Sequence, residues 1–383
     1  MELLKVRAAA LTALAALALA ACGANGSLPS SAAAGAGAGA APFAISQGAI
    51  DRPDDTTSIL KKLTKDVVIG STVDPGNGDT GPHSLAIVKT SYGLKKGQVV
   101  VCNFADASGT AGNGTTVEVL NPTPGSSPKT FAKNAKIKGC DGNAISSGNQ
   151  VFACGLSGGV CAQFNQTGKY KKSYGTPITK PFADGDIFNP QAYAAEYIMV
   201  GDAKSGGVIS FAIGPYGNPK KTQVISGFAV GGSGWSTLGP SGFQYDTKKD
   251  VMYIADGVTN TIVSVSHPGN LLQKNEIVVQ PGGKTFKCAH PKDACAKLVK
   301  AGKPLSGPVA LVLLPNGNLV AANTKGGNTL VELTPAGQVL ATKVVDKGDT
   351  PAVFGLGATG KNDTNTVLFY TDANDNSLHE LTP

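Results

Sequence analysis

Arginine is nearly missing from this chain. Of its 33 basic residues only Arg7 and Arg52 are arginines. Proteins that read bases and phosphates lean on the planar arginine fork, so nucleic acid is not an expected partner, although a net charge of +7 allows mild attraction to an anionic membrane or polymer. Charged residues of both signs make up only 15% of the sequence, against roughly 25% in ordinary soluble domains. The wetted surface must therefore come from Gly, Ser, Thr and Asn, which argues against charge-laced helices. Beyond the N-terminal leader no run is apolar and long enough to cross a bilayer. No GxSxG elbow surrounds a serine, and no glycine-rich stretch follows a strand and opens a helix, so neither a hydrolase elbow nor a phosphate loop is supported.

What is abundant is turn chemistry. There are 50 glycines and 23 prolines, residues that helices avoid and turns require. With 41% hydrophobic residues the chain can still bury a large core, and the expected class is all-β. A length of 383 residues allows two or three domains or one large repeat architecture.

The leader carries an address. Lys5 and Arg7 precede an uncharged Ala/Leu run from Ala8 to Ala21, shorter than the ~20 residues of a spanning helix and matching a secretory signal. Its end, Leu19-Ala20-Ala21-Cys22, resembles the lipobox of bacterial lipoproteins. That resemblance implies removal of residues 1–21 and lipidation of Cys22; the alternative is an ordinary signal cut near Ala21. Gly23 in place of an inner-membrane retention Asp favours the outer membrane. Residues 22–42 are nearly all Ala, Gly and Ser and are expected to act as a flexible tether, with a lead-in at 43–65 before the globular part.

Setting Cys22 aside leaves six cysteines, an even number in an exported chain, which reads as disulfides. Fifteen pairings are possible; the nearest-neighbour assignment is Cys102–Cys140, Cys154–Cys161 and Cys288–Cys295. Cys288, His290 and Cys295 could instead ligate zinc, but a fourth ligand at suitable spacing is missing.

One pattern recurs along the chain: an apolar strand, an Asp, Asn or Gly, a Gly/Asn/Thr turn, and a second strand. The copies place Asn103, Gly155, Asp202, Asp256, Asn323 and Asp372 at equivalent points, 52, 47, 54, 67 and 49 residues apart, near the period of propeller blades. The longest interval holds an insertion at 281–306, in which DACAKLVKAGK is expected to form a short helix. Most copies are preceded by a proline that suits the first residue of an inner strand: Pro82, Pro190, Pro240, Pro308 and Pro351. Asp141-Gly142-Asn143 takes this place in the second copy. Outer strands are expected at runs such as Lys343-Val344-Val345 and Glu276 to Val279. The sixth copy ends at Pro383 one strand short, and the isolated run from Asp66 to Ser71 can supply the missing strand, joining the chain ends and covering raw sheet edges.

These copies, YIADGVTNTIVSV above all, resemble NHL repeats. The resemblance covers 66–383 and implies a six-bladed β-propeller whose last blade is completed by the N-terminal strand.

In that architecture the repeated Asp and Asn residues bond their own turn amides, and the residues after the prolines gather at one mouth of the channel. They read His83, Asn143, Gln191, Ser241, Val309 and Ala352, polar on one half and apolar on the other, a plausible ligand site. Trp235, the single tryptophan, sits in a Gly-rich run just ahead of Ser241, placed either to stack on a ligand or to plug between blades. With one histidine and no carboxylate in this ring, no metal and no cofactor are expected. The leading reading is a lipid-anchored scaffold at the cell envelope, monomeric, that binds a protein, peptide or glycan through His83, Asn143, Gln191, Trp235 and Ser241. The alternative is a propeller lyase or hydrolase with His83 as acid/base, a reading that requires a polar group near enough to orient the imidazole.

Overall fold

The structure is a computed structural model that describes residues 54–188, 196–213, 220–348 and 350–383. Cys22, the expected tether and Gln191 with Pro190 lie outside the described residues. Among the described residues helix is confined to three single turns, at Ala135–Ile137, Gly234–Ser236 and Pro268–Asn270.

Strand β1 (Lys65–Ser71) comes first and pairs last. The first sheet is β2 (Thr80–Ile87), β3 (Val99–Ala105), β4 (Thr116–Leu120) and β5 (Lys129–Lys133), and the second is β6 (Cys140–Ile145), β7 (Val151–Gly155), β8 (Val160–Phe164) and β9 (Tyr170–Tyr174). The third begins with β10 (Pro181–Phe188), β11 (Glu196–Asp202), β12 (Gly207–Ile213) and β13 (Thr222–Ser226), and the fourth with β14 (Pro240–Asp246), β15 (Val251–Asp256) and β16 (Thr261–Ser266). Next in the chain, β17 (Ile277–Val279) and β18 (Phe286–Cys288) extend the third sheet, while β19 (Cys295–Ala301) completes the fourth. The fifth sheet is β20 (Pro308–Leu313), β21 (Leu319–Asn323), β22 (Asn328–Leu333) and β23 (Val339–Asp346). The sixth holds β24 (Leu356–Thr359), β25 (Val367–Asp372), β26 (Ser377–Thr382) and β1.

The sheets follow one another around a channel lined by one strand from each, a β-propeller. A separate buried apolar cluster fills each junction. Val100 and Val117 of the first sheet pack with Ala153 and Phe164 of the second, Phe152 and Tyr174 of the second with Ile198 and Phe211 of the third, and Met199 of the third with Met252 of the fourth. Tyr253 of the fourth meets Leu319 of the fifth, Val320 of the fifth meets Tyr370 of the sixth, and Phe369 of the sixth meets Val99 of the first. Each sheet is thus buried on both faces, which is why strands such as β3, β4 and β7 read as continuous apolar runs.

The ends join as the sequence pattern implied. β1 runs antiparallel to β26 from Lys65 opposite Thr382 to Ser71 opposite Ser377. Ahead of it, Ile59, Leu60 and Leu63 are buried against the fifth and sixth sheets. Glu332 of β22 holds this lead-in: its carboxylate accepts from Ser58 Oγ at 2.6 Å, from the amides of Ile59 and Leu60 at 3.1 and 2.9 Å, and from Asn318 Nδ2 at 3.2 Å.

Two expectations about the insertion are corrected. Residues Cys295–Ala301 form strand β19, not a helix, because the outer edge of β16 needs backbone partners and takes them from Ser266 opposite Cys295 to Thr261 opposite Ala301. The run Ile277–Val279 is not the outer strand of the fourth sheet; it lies parallel to β13 on the third. The three disulfides are those of the nearest-neighbour assignment. Cys154 and Cys161 face each other across β7 and β8. Cys102–Cys140 ties the first sheet to the second and Cys288–Cys295 the third to the fourth, so two bonds staple neighbouring sheets.

Candidate functional site

Register decides which residues meet at the axis. Pro82 lies opposite Asn103, Cys140 opposite Gly155, Pro181 opposite Asp202, Pro240 opposite Asp256 and Pro308 opposite Asn323. In the sixth sheet the Ala373 amide bonds the Ala352 carbonyl, as Ala203 bonds Lys180 and Thr324 bonds Gly307. The ring is therefore His83, Asp141, Phe182, Ser241, Val309 and Phe354. Three positions differ from the expected set. The second copy has no proline to mark the start, so Asp141, not Asn143, is the counterpart of His83. The third inner strand opens at Pro181, so Phe182 takes the place assigned to Gln191. In the sixth, Phe354 replaces Ala352.

At or just after this ring the five proline-led or equivalent inner strands of the first five sheets break register: between His83 and Leu85, Cys140 and Gly142, Pro181 and Ala183, Ser241 and Gln244, and Pro308 and Ala310. Such bulges bend a strand and re-aim its side chains. Ser84 at φ 28° and Gly242 at φ 58° sit in two of them.

The repeated Asp and Asn residues are scaffolding. Asp202 accepts from the amides of Thr179, Lys180, Lys204 and Ser205 at 2.6–3.0 Å. Asp256 accepts from Val258 and Thr259, and Asn323 bridges Ser306 and Pro304. Each satisfies turn groups that would otherwise be buried unpaired.

The ring forms a plug. Phe104, Leu156, Phe182, Leu238, Val309 and Phe354 make one apolar cluster, with the half-buried Trp235 packed on it. His83 is 2% exposed. Its imidazole stacks on Phe104 and Phe354, with centroids 4.1 and 3.8 Å away, and tilts toward Trp235 at 5.4 Å. Trp235 thus has the plugging role of the two weighed. Glycine is required beside it, since a Cβ on Gly81 would fall 2.3 Å from the indole.

Within this apolar setting His83 Nδ1 lies 2.6 Å from Asp141 Oδ1. Burial pushes the Asp141 carboxyl up from its ordinary value, and the adjacent His83 pulls it partly back. His83 Nε2, Asp141 Oδ2 and Ser241 Oγ have no hydrogen-bond partner. The orienting group that the acid/base reading needs is present, and sequence reasoning missed it because Asp141 stood two residues from the position chosen in a copy without proline.

Beyond the plug the channel opens. A cavity of about 570 Å³ is lined by stretches of all six inner strands, from Ser84, Asp141 and Phe354 at the plug to Lys89, Lys96, Thr247 and Thr359 at the strand ends. Lys89, Lys96 and Thr247 are exposed, so the wetted mouth is at the far end from the plug. Asn143 lies on this wall, donating to the Val100 carbonyl at 3.0 Å while its Oδ1 has no partner. Of the five residues expected to touch ligand, Asn143 lines the cavity. His83, Trp235 and Ser241 belong to the plug, and Gln191 lies outside the described residues.

Among solved structures, a gluconolactonase from Xanthomonas campestris superimposes with a TM-score of 0.52 at 11% identity, over 79% of this chain and 86% of that one. Virginiamycin B lyase from Staphylococcus aureus superimposes with a TM-score of 0.50 at 13% identity, over 83% and 98%. At these identities the likeness is one of fold, a propeller of the gluconolactonase and virginiamycin B lyase type. No protein-family model and no curated protein sequence matches the chain.

Proposed function

We propose that this protein is a lipid-anchored propeller of the cell envelope, its six sheets being six NHL-type blades, which binds a compact ligand in its channel. The observation that carries the reading is the cavity with unpaired acceptors on a largely apolar wall. Asp141 and Asn143 line it, each with a buried side-chain oxygen that has no hydrogen-bond partner, while Leu85, Ile87, Leu311, Leu313 and Leu356 supply apolar surface. Buried acceptors left unpaired cost roughly 1–3 kcal/mol each, so a ligand that donates to them and covers the apolar wall gains on both counts. About 570 Å³ suits a ligand of drug size. This describes a peptide or glycan segment with an apolar body and a hydroxyl or amine end, entering past Lys89 and Lys96. The anchor at Cys22 would keep the protein at the envelope.

The test is native mass spectrometry of mature protein incubated with envelope peptide and glycan fractions. Wild type is expected to retain a bound mass that Asn143→Leu, which removes an acceptor, and Thr359→Trp, which obstructs the mouth, both lose. Retention in both variants would place binding elsewhere and overturn the reading.

A second reading is favoured by one contact, the 2.6 Å His83–Asp141 pair with its free Nε2. In it the protein is a lyase or hydrolase, the activities carried by its structural neighbours, with Asp141 orienting His83 as acid/base. His83→Ala separates the two: a folded variant that keeps its envelope phenotype supports the scaffold, and loss of phenotype supports the enzyme.

A further inference from the structure

A second hollow lies beside the mouth of the channel. It is an open groove of about 480 Å³ on the first sheet, between the 88–98 loop that joins β2 to β3 and the 121–128 loop that joins β4 to β5. Lys95, Lys96 and Gln98 form one wall, and the other runs from Asn121 to Ser126. Lys96 also lines the channel cavity, so the two hollows meet at that residue.

Both walls are held by hydrogen bonds that leave the lysine side chains out. The 88–98 loop folds back on itself: the Val88 amide bonds the Gln98 carbonyl, the Gly97 amide bonds the Val88 carbonyl, and Tyr92 and Leu94 exchange both backbone bonds. The Lys95 amide donates to Gln98 Oε1 at 2.8 Å and the Lys96 amide to Ser91 Oγ at 3.0 Å. From the second sheet the buried Asn149 donates to the carbonyls of Thr90 and Tyr92 at 2.6 and 3.2 Å. On the other wall the Asn121 amide donates to Ser126 Oγ at 3.1 Å, and the Ser126 amide bonds the Ile69 carbonyl of β1. Gln98 Nε2 links the two loops by donating to Asn121 Oδ1 at 3.0 Å.

This frame fixes where like charges stand. Lys95 and Lys96 are adjacent and exposed, and Lys89 is exposed on the same loop. No carboxylate lines the groove, and neither loop contains an Asp or Glu. Among the described residues none of the three lysines forms an ion pair. Positive charge gathered in a preorganised hollow without a counter-ion favours an anion.

The rest of the lining decides which kind. The hydrogen bonds of Asn121 use its backbone amide and Oδ1, which leaves its side-chain amino group to a ligand. Thr123 and Ser126 add hydroxyls, and the exposed Pro122 and Pro124 add ring faces against which C–H surface can lie. The groove has no arginine fork and no aromatic side chain among its lining residues, the groups by which phosphates are held bidentately and bases are stacked. It is also far larger than one inorganic anion. A hydroxyl-rich ring that carries a carboxylate matches both the charge and the neutral lining.

We propose that this groove binds acidic sugar units of an anionic glycan, with Lys95 and Lys96 on the carboxylate and Asn121 on the ring hydroxyls. The site is separate from the channel and stands whether or not the channel is occupied.

Isothermal titration of mature protein with trigalacturonate, a trisaccharide of uronic acid, and with maltotriose, a neutral one, tests this. In about 50 mM salt trigalacturonate is expected to bind at one site per chain, about tenfold or more tighter than maltotriose, and to weaken as salt rises to about 0.5 M. Lys95→Gln should weaken it about threefold. Asn121→Asp keeps the acceptor for Gln98 and brings a negative charge into the groove, and should weaken it about tenfold. Neither substitution removes a hydrogen bond of the frame. Lys248→Gln combined with Lys249→Gln removes two exposed lysines from the turn between β14 and β15 and should change the affinity less than about twofold. No preference over maltotriose, wild-type affinity in Lys95→Gln and Asn121→Asp, or a loss in the Lys248 and Lys249 variant as large as in Lys95→Gln would each overturn the assignment. So would equal competition by inorganic phosphate, which would make it a simple anion site, or tighter binding of triglutamate, which would make it a site for acidic peptide.

Discussion

Glu118 of β4, fully buried beside Asp74, gives the most exacting test of the electrostatics, because its ionisation must leave a mark on stability. Its carboxyl rises from an ordinary 4.5 to about 9 in the folded chain. Over that interval the native state holds one proton that the unfolded state has lost, so stability falls as pH rises. The contribution is fully present below about pH 4.5 and gone above about pH 9. Inside the window the slope for one proton is about 1.4 kcal/mol per pH unit, or about 2.7 kcal/mol between pH 6 and 8. Other groups titrate there too, so the useful quantity is the difference between wild type and Glu118→Gln, which is blind to everything but this carboxyl. Urea unfolding at pH 6, 7 and 8 should show wild type losing stability relative to the variant by about 2.7 kcal/mol across the series. Parallel curves would mean that Glu118 is charged at neutral pH or wet.

Glu332→Ala should free the lead-in, since it strips a charged acceptor from two buried amides, Ile59 and Leu60, and from Asn318. The expected loss is about 3–5 kcal/mol, read as faster proteolysis at residues 54–64 with β1 still paired; Glu332→Gln should lose less than half of that. Replacing Cys102 and Cys140 by Ala opens a closed loop of 38 residues and should lower stability by about 3–4 kcal/mol under non-reducing conditions, while non-reducing peptide mapping of wild type recovers all three bonds. Asp141→Asn should leave the fold intact. If the channel turns over a substrate, the variant's rate should fall at least a hundredfold with KM little changed; a proportional change in both would make the pair a packing element of the plug.

The features legible in the sequence are those written once per repeat. Asp202, Asp256 and Asp372 mark their hairpins because each turn needs a short residue that bonds its own amides, Asn103 and Asn323 mark theirs by bonding the neighbouring loops at Thr72 and at Pro304 and Ser306, and Gly155 allows a close backbone approach; composition records these needs directly. The closing strand was legible because β26 leaves an edge that only an unassigned apolar run can cover. Sequence distance to the nearest free cysteine was also enough to give the pairings. What escaped is whatever depends on register. A position two residues off, as with Asn143 for Asp141, or nine, as with Pro190 for Pro181, leaves the repeat pattern intact and changes which side chain reaches the axis. The bulges then re-aim the residues that follow, so distance from a proline does not translate into depth in the channel. The insertion misled for a related reason: AKLVKA has a composition that helices accept, and only the unfilled ladder of β16, a demand made from 30 residues away, turns it into a strand. Glu332 and Glu118 carried no motif at all. An acidic residue inside an apolar strand looks like an ordinary outward-facing position until the second face of the sheet is known to be covered, and in a ring of sheets every such face is covered. For these chains an acidic residue flanked by Val and Leu on both sides, as in Thr116 to Leu120 and Asn328 to Leu333, is therefore the better guide to buried chemistry than the residues at the mouth.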